Sequence, residues 1–63
     1  MLATNIKKFR KKQKISQEDL AKKAGITYST LIKIESRANE NPTIRTLKKI
    51  ADALNVTIDS LIS

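Results

Sequence analysis

A short pattern that starts helices occurs four times in this 63-residue chain and leaves little room for other secondary structure. An apolar residue or a proline is followed by serine or threonine, then by three residues and a leucine. A hydroxyl at that place can accept a hydrogen bond from a free N–H group of the first helical turn. In three of the four copies, the residue before the hydroxyl can also pack on the leucine. The pattern therefore predicts helices that begin after four capping residues: Ser16, Thr27, Thr43 and Thr57.

A fifth helix is predicted ahead of these four, with Thr4 as its cap. Ile6 and Phe9 share one face of it, whereas lysines cover most of the remaining surface. Alternation of the strand type is absent, and the only proline lies at a predicted helix boundary. A chain of this length is also too short for two hydrophobic cores. The sequence therefore predicts one all-α domain that spans residues 1–63 and contains five helices.

The only glycine, Gly25, follows the predicted second helix. Glycine adopts the left-handed conformation that commonly ends a helix more cheaply than any other residue. Because Thr27 caps the next helix, the helices over about 17–24 and 28–36 are joined by roughly three residues. This spacing is typical of a helix-turn-helix, although a glycine that merely ends one helix of a generic bundle would leave the same local pattern.

Positive charge is concentrated near the N-terminus. The chain has 13 basic and 6 acidic side chains, a formal net charge of +7, and eight of the basic but only two of the acidic ones lie in residues 1–23. Such an excess favours a polyanionic partner, either nucleic acid or an anionic membrane surface. A solvated face that only keeps the protein soluble is the third interpretation.

The sequence has neither cysteine nor histidine. Their absence removes disulfides, zinc fingers, thiol nucleophiles and the usual acid–base group of neutral pH. A single glycine is also too little for a phosphate-cradling loop. We therefore expect no catalytic residue, no metal, no cofactor and no small-molecule substrate. No apolar run is long enough to span a membrane and none resembles a signal peptide, so the sequence predicts a cytoplasmic protein.

Five motifs in order along the chain resemble the phage repressor and Cro family of helix-turn-helix domains. They are Gln-x-x-Leu-Ala, a glycine turn, an Ile-Glu pair, Asn-Pro and a closing Ala-x-x-Leu-x-Val, carried by Gln17, Leu20, Ala21, Gly25, Ile34, Glu35, Asn41, Pro42, Ala51, Leu54 and Val56. The resemblance covers nearly the whole chain. It implies a compact, lambda-repressor-like domain of five helices, in which helices 2 and 3 form the helix-turn-helix.

The same resemblance implies a function. Members of this family bind duplex DNA as two-fold dimers at near-palindromic sites and regulate transcription, usually as repressors. It also implies a bacterial or phage-type protein that works at the nucleoid. One position departs from the pattern, because Arg37 stands where members commonly carry glycine. Either Arg37 adopts the left-handed conformation, or helix 3 runs on and Asn39 makes the turn.

Helical geometry gives helix 3 an inner and an outer face. On the outer face, Lys33 could donate to guanine, Ser29 could serve donor or acceptor edges, and Ile32 could contact a thymine methyl. Tyr28 could offer its hydroxyl to a phosphate or its ring to a base methyl. We therefore predict that these four residues read bases. Ile32 has a competing interpretation as peripheral core, because single apolar side chains on small helices are common there.

Phosphates are predicted to meet the start of helix 2, where free N–H groups and the helix dipole favour an anion. Gln17 would add a side-chain donor, as the resemblance implies. The other predicted phosphate contacts are Thr27, Ser36, Arg37 and Asn39. Arg10 has two interpretations: a surface cation, or, as the resemblance implies, the partner of Glu35 in a structural brace. Its place on the Ile6 side of helix 1 favours the brace.

Helices 4 and 5 carry more apolar residues than a short helical hairpin buries easily. We expect some of them to form the contact of a homodimer, although all of them could complete the core of the monomer. Three rival functions stay open. The same fold serves antitoxins, whose main ligand is a protein; a cationic helix can lie on a membrane surface; and RNA binding would rest on only two aromatic side chains that could stack on bases.

Overall fold

The computed structural model describes residues 2–63 and forms five α-helices. Their bounds are Leu2–Lys12 (α1), Gln17–Ala24 (α2), Tyr28–Glu35 (α3), Ile44–Leu54 (α4) and Ile58–Ile62 (α5). No strand occurs within these residues. The predicted all-α fold of five helices is confirmed.

Side-chain hydroxyls begin the last four helices, as the repeated pattern predicts. Each capping residue has an extended backbone, and its oxygen accepts a hydrogen bond from the N–H group three residues further on. Such a cap contributes typically about 1 kcal/mol of stability. The four donor–acceptor distances lie between 3.0 and 3.1 Å, for the pairs Asp19 to Ser16, Thr30 to Thr27, Thr46 to Thr43 and Ser60 to Thr57.

The predicted cap of the first helix is wrong. α1 already includes Leu2, so Thr4 lies inside its first turn and is exposed. The longer helix brings Leu2 against the core and buries Ala3. This gain of apolar contact explains why the helix starts earlier than the local capping signal indicates.

The core lies where α2 packs against α3 and α4, and where α1 packs against α3 and α5. Burial of one large aliphatic side chain contributes about 1.5–3 kcal/mol. Seven such side chains are fully buried here: Ile6, Leu20, Leu31, Ile34, Ile50, Leu54 and Leu61. Two of them come from α3, so one face of that helix is fixed against the body of the domain.

Two side-chain amides, one in α1 and one in the residue that follows it, bind the ends of the last two helices. The Nδ2 atom of Asn5 donates to the carbonyl oxygens of Leu61 and Ser63, at 2.8 and 2.9 Å. The Nε2 atom of Gln13 donates to the carbonyl oxygen of Leu54 at 2.7 Å. The carbonyl groups at a helix end lack partners within the helix, so these bonds satisfy acceptors that would otherwise need water. Asn5 of α1 thereby binds the end of α5, and Gln13, just after α1, binds the end of α4.

Candidate nucleic-acid interface

A left-handed residue separates α2 from α3. Gly25 has a φ of +71°, its N–H donates to the carbonyl of Lys22 at 3.2 Å, and the N–H of Ile26 donates to that of Ala21 at 3.0 Å. A Cβ atom at Gly25 would meet nothing within 4 Å. The backbone angle, and not lack of space, therefore favours glycine here. The predicted turn is confirmed.

α3 has one buried and one outer face, as its sequence predicts. Leu31 and Ile34 are 0% and 1% exposed, and Ala21 of the packed α2 is 3% exposed. The small side chain of Ala21 allows the two helices to approach closely. Because the inner face is fully occupied, the opposite face of α3 is free to meet a ligand.

The four predicted base-reading residues have different exposures. Tyr28 is 45% exposed, and Ser29 and Lys33 are also exposed. Ile32 is half-buried. The sequence offered two interpretations of Ile32, a base-reading residue and a residue of the peripheral core. The structure lies between them, since part of the side chain is buried and part is exposed.

Arg10 and Glu35 are joined by two parallel hydrogen bonds. The Nε and Nη2 atoms of Arg10 donate to Oε2 and Oε1 of Glu35, each at 3.1 Å. The side chains are 15% and 2% exposed, and Glu35 is the only charged residue buried within residues 2–63. A third bond runs from Nη1 of Arg10 to the carbonyl oxygen of Ile15 at 3.2 Å. Arg10 therefore ties the end of α1, the loop after it and α3 together.

The amide of Gln17 also reaches Glu35. Its Nε2 atom donates to Oε1 at 3.2 Å, so this carboxylate accepts three side-chain hydrogen bonds. The sequence predicts only a phosphate contact for Gln17, so its bond to Glu35 is a finding of the structure. The bond leaves the amide oxygen, the second N–H of the amide and the backbone N–H of Gln17 without a hydrogen bond to residues 2–63.

Three of the predicted phosphate contacts, Thr27, Ser36 and Asn39, already form side-chain hydrogen bonds inside the protein. The Oγ1 atom of Thr27 caps α3 and lies 2.7 Å from Oγ1 of Thr30. The Oγ atom of Ser36 donates to the carbonyl oxygen of Lys33 at 3.2 Å. Asn39 uses its side-chain oxygen to accept from the N–H of Asn41 at 3.1 Å. The side-chain N–H groups of Asn39 stay available to a phosphate, whereas both donors of Ser36, its hydroxyl and its backbone N–H, are already used.

Arg37, and not Asn39, makes the turn after α3. α3 ends at Glu35 with Ser36 as its cap, one residue earlier than predicted, and Arg37 has a φ of +68°. Its N–H donates to the carbonyl oxygen of Ile34 at 3.2 Å, and the N–H of Asn39 donates to that of Lys33 at 2.9 Å. The exposed guanidinium of Arg37 lies at the limit of hydrogen-bonding distance, 3.5 Å, from the hydroxyl of Thr4.

Residues 2–63 hold no group of three or more acidic, histidine or cysteine side chains that could bind a metal ion. In the same part of the chain, no helix is long and apolar enough to cross a bilayer.

Known proteins are similar to this chain in sequence and in fold. A family model described as helix-turn-helix matches residues 6–61. The transcriptional regulator SinR of Bacillus licheniformis is 36% identical over 63 residues, which are all of this chain and 57% of that regulator. The immunity repressor of Bacillus phage phi105 is 39% identical over 57 residues, or 90% of this chain and 39% of the repressor. The chain thus spans little more than half the length of SinR.

A comparison with solved structures leads to the same family as the sequence comparison. The N-terminal DNA-binding domain of SinR from Bacillus subtilis superposes with a TM-score of 0.96 at 36% identity, covering 100% of this chain and 91% of that domain. The family match extends from α1 to α5 and includes the turn at Gly25. The chain therefore belongs to the Cro/C1-type helix-turn-helix family of transcription regulators, which are not enzymes.

Proposed function

We propose that this chain binds duplex DNA in a sequence-specific manner and regulates transcription, with α3 in the major groove. The observation that carries the proposal is the outer face of α3, which is left free beyond the turn at Gly25. An α-helix fits the width of the major groove, where every base pair presents a distinct pattern of donors and acceptors. The net charge of +7 supports a polyanionic partner. The relatives named as regulators and repressors support the regulatory role.

Base reading is assigned to Tyr28, Ser29, Ile32 and Lys33. The ammonium of Lys33 is exposed and forms no ion pair with any residue of 2–63, so it is free to donate to O6 or N7 of guanine. Ser29 can donate or accept, and the free part of Ile32 suits a thymine methyl. This face has no arginine, asparagine or glutamine for bidentate contacts, so we expect moderate discrimination at each half-site.

Phosphate binding is assigned to both ends of the helix-turn-helix. At the start of α2, free N–H groups and the remaining N–H of Gln17 suit an anion. Beyond α3, the guanidinium of Arg37 is exposed and has no carboxylate partner within residues 2–63. Asn39 completes the set with its side-chain N–H groups and Thr27 with its backbone N–H, whereas Ser36 would have to exchange its hydroxyl bond to Lys33 for one to phosphate.

We further propose that two chains bind together as a homodimer on a near-palindromic site. Dimeric proteins of this class place their recognition helices about 34 Å apart, one turn of DNA. The longest extent of this domain is 24 Å, so one chain cannot span two successive turns. Ile44 and Ile62 supply exposed apolar surface for the contact, since they are 69% and 53% exposed. They lie in α4 and α5, the region that the sequence indicates.

A membrane-surface role has less support from the geometry. Helices that lie on a bilayer need a free apolar face opposite their lysines. In α1, Ile6 is fully buried, Ala3 is 7% exposed and Phe9 packs against the core. The apolar side of α1 is thus used inside the protein.

We propose a cytoplasmic protein that acts at the nucleoid.

Selection from a random duplex library, followed by salt titration of the selected site, tests the proposal. We expect a symmetric consensus with two half-sites, and an affinity that falls steeply with salt because phosphate contacts release counterions. Lys33→Ala should relax the preference at one position of each half-site. Lys49→Ala removes an exposed lysine of α4 and serves as the control. Enrichment of no sequence, or equal retention of vesicles and duplex, would contradict the proposal.

A further inference from the structure

Four of the residues 2–63 adopt the left-handed conformation. Two of them belong to the types that do so at little cost, Gly25 with a φ of +71° and Asn55 with a φ of +58°. The other two are cations, Lys14 with a φ of +57° and Arg37 with a φ of +68°. A long basic side chain gains nothing from this backbone geometry. The backbone conformation therefore does not explain why basic residues occupy positions 14 and 37.

The turn at Lys14 is built like the turns at the two cheaper residues. In each, the left-handed residue donates its N–H three residues back, at 3.1 to 3.2 Å, and the next residue donates five residues back, at 3.0 to 3.2 Å. For the turn after α1, the second of these bonds joins Ile15 to the carbonyl oxygen of Arg10. Glycine or asparagine would satisfy the same hydrogen bonds with less strain. The side chain of Lys14, and not its backbone, distinguishes this turn.

That side chain has no role inside the protein. Lys14 is exposed and forms no ion pair or side-chain hydrogen bond with residues 2–63. Two acidic residues of the neighbouring first turn, Glu18 and Asp19, are exposed as well and do not pair with it. An ammonium group is thus placed at a strained backbone position with no ion pair or side-chain hydrogen bond to residues 2–63.

The loop that carries Lys14 is fixed beside the start of α2. Gln17 lies three positions after Lys14, so their Cα atoms are no more than about 11 Å apart. The next residue, Ile15, is held by Nη1 of Arg10 through its carbonyl oxygen at 3.2 Å. Arg10 in turn is bound to Glu35 of α3. The position of Lys14 is therefore set relative to both helices of the helix-turn-helix.

We propose that Lys14 binds a phosphate of the DNA backbone next to the one met by the start of α2. This inference rests on the proposed function and adds a contact to the same interface. Arg37, the other cation at a left-handed position, serves the opposite end of the helix-turn-helix in the same way. On this proposal the basic residues at these two turns contribute a charge that binds DNA, whereas Gly25 and Asn55 are explained by the backbone conformation alone.

The test compares Lys14→Asn with the unchanged chain on one selected duplex. Asparagine suits the left-handed backbone, so the melting temperature should stay the same or rise. The slope of log affinity against log salt should become shallower by about 0.9 for each bound chain. Between 50 and 200 mM salt, the unchanged chain should then lose about 3.5-fold more affinity per bound chain than the variant.

Two matched variants separate a contact from the general field of positive charge. Lys14→Arg keeps the charge and the strained backbone, and it should keep the original salt slope. Lys8→Gln removes one exposed lysine from α1 and should change the slope much less. An unchanged slope in Lys14→Asn, or an equal change in Lys8→Gln, would overturn the inference. If the unchanged chain itself fails to bind any duplex, the proposed function is wrong, which is a distinct result.

Discussion

The carboxylate of Glu35, 2% exposed, accepts two hydrogen bonds of 3.1 Å from the guanidinium of Arg10, which lies 25 positions earlier in the chain. A buried carboxylate is stable only when its hydrogen-bonding capacity is met. Gln17 supplies a third donor to the same group. The three residues belong to α1, α2 and α3, so one carboxylate links the helix-turn-helix to the helix that supports it.

Replacing Arg10 by methionine should destabilise the domain severely. The change leaves the charge of Glu35 buried without its main partner, at a cost of about 3–5 kcal/mol. That is a large part of the roughly 3–9 kcal/mol expected for a domain of this size. Urea unfolding followed by circular dichroism measures the loss. Lys11→Met is the matched control, because it removes a neighbouring exposed cation.

The double variant Arg10→Met with Glu35→Met should recover much of that stability, since no charge remains buried. A single Arg10→Met variant with unchanged melting but weaker DNA binding would contradict the structural role of Arg10. It would assign the side chain to phosphate instead.

At the turn between α2 and α3, Gly25→Ala should cost about 1–2 kcal/mol, whereas Gly25→Asn should cost less. The backbone angle is the only obstacle, because a Cβ atom meets nothing within 4 Å. Thermal unfolding measures both changes, with a shift of about 4–8 °C per kcal/mol for a domain of this size. Equal losses for alanine and asparagine would show that the left-handed conformation is not what the position requires.

Removing the amide of Asn5 should loosen α5. Asn5→Ala abolishes two hydrogen bonds to the end of that helix, each contributing about 0.5–1.5 kcal/mol. Hydrogen exchange of the α5 amides should accelerate more than that of the α2 amides, because α5 is a helix of only five residues. The exposed neighbour Thr4→Ala is the control. Uniform acceleration in both helices would place the effect on global stability alone.

The exposed isoleucines of α4 and α5 should matter for assembly on DNA and little for folding. The double variant Ile44→Gln with Ile62→Gln changes side chains that are 69% and 53% exposed, so its melting temperature should remain close to the original. Sedimentation with a two-half-site duplex should show one bound chain at concentrations where the unchanged protein binds as two. Two bound chains for the variant would exclude these residues from the dimer contact.

Local features of the fold could be predicted from the sequence, because each depends on a few neighbouring residues. The four hydroxyl caps and the turn at Gly25 are of this kind, and so are the two faces of α3. The sequence left two candidates for the left-handed residue after α3, Arg37 and Asn39. It could not decide between them, because asparagine adopts this conformation more readily than arginine. Thr4 was misassigned, since burial of Ala3 in the tertiary structure outweighs a weak capping signal.

Hydrogen bonds between residues far apart in the sequence could not be predicted. Asn5 reaches Leu61 across 56 positions and Gln13 reaches Leu54 across 41, and no local pattern marks either pair. The bond from Gln17 to Glu35 was missed for the same reason. Polar residues on an otherwise apolar helix face are the one signal that could have indicated such bonds. The sequence pattern does place Gln13 on the Ile6 side of the first helix, although α1 ends one residue before it.

Methylation interference on the selected duplex tests the central claim most directly, because N7 of guanine lies in the major groove. We predict that methylation at guanine N7 within each half-site blocks binding of the unchanged chain, and that Lys33→Ala removes this sensitivity at one position per half-site. Interference confined to minor-groove positions, or none in either half-site, would contradict the placement of α3 in the major groove.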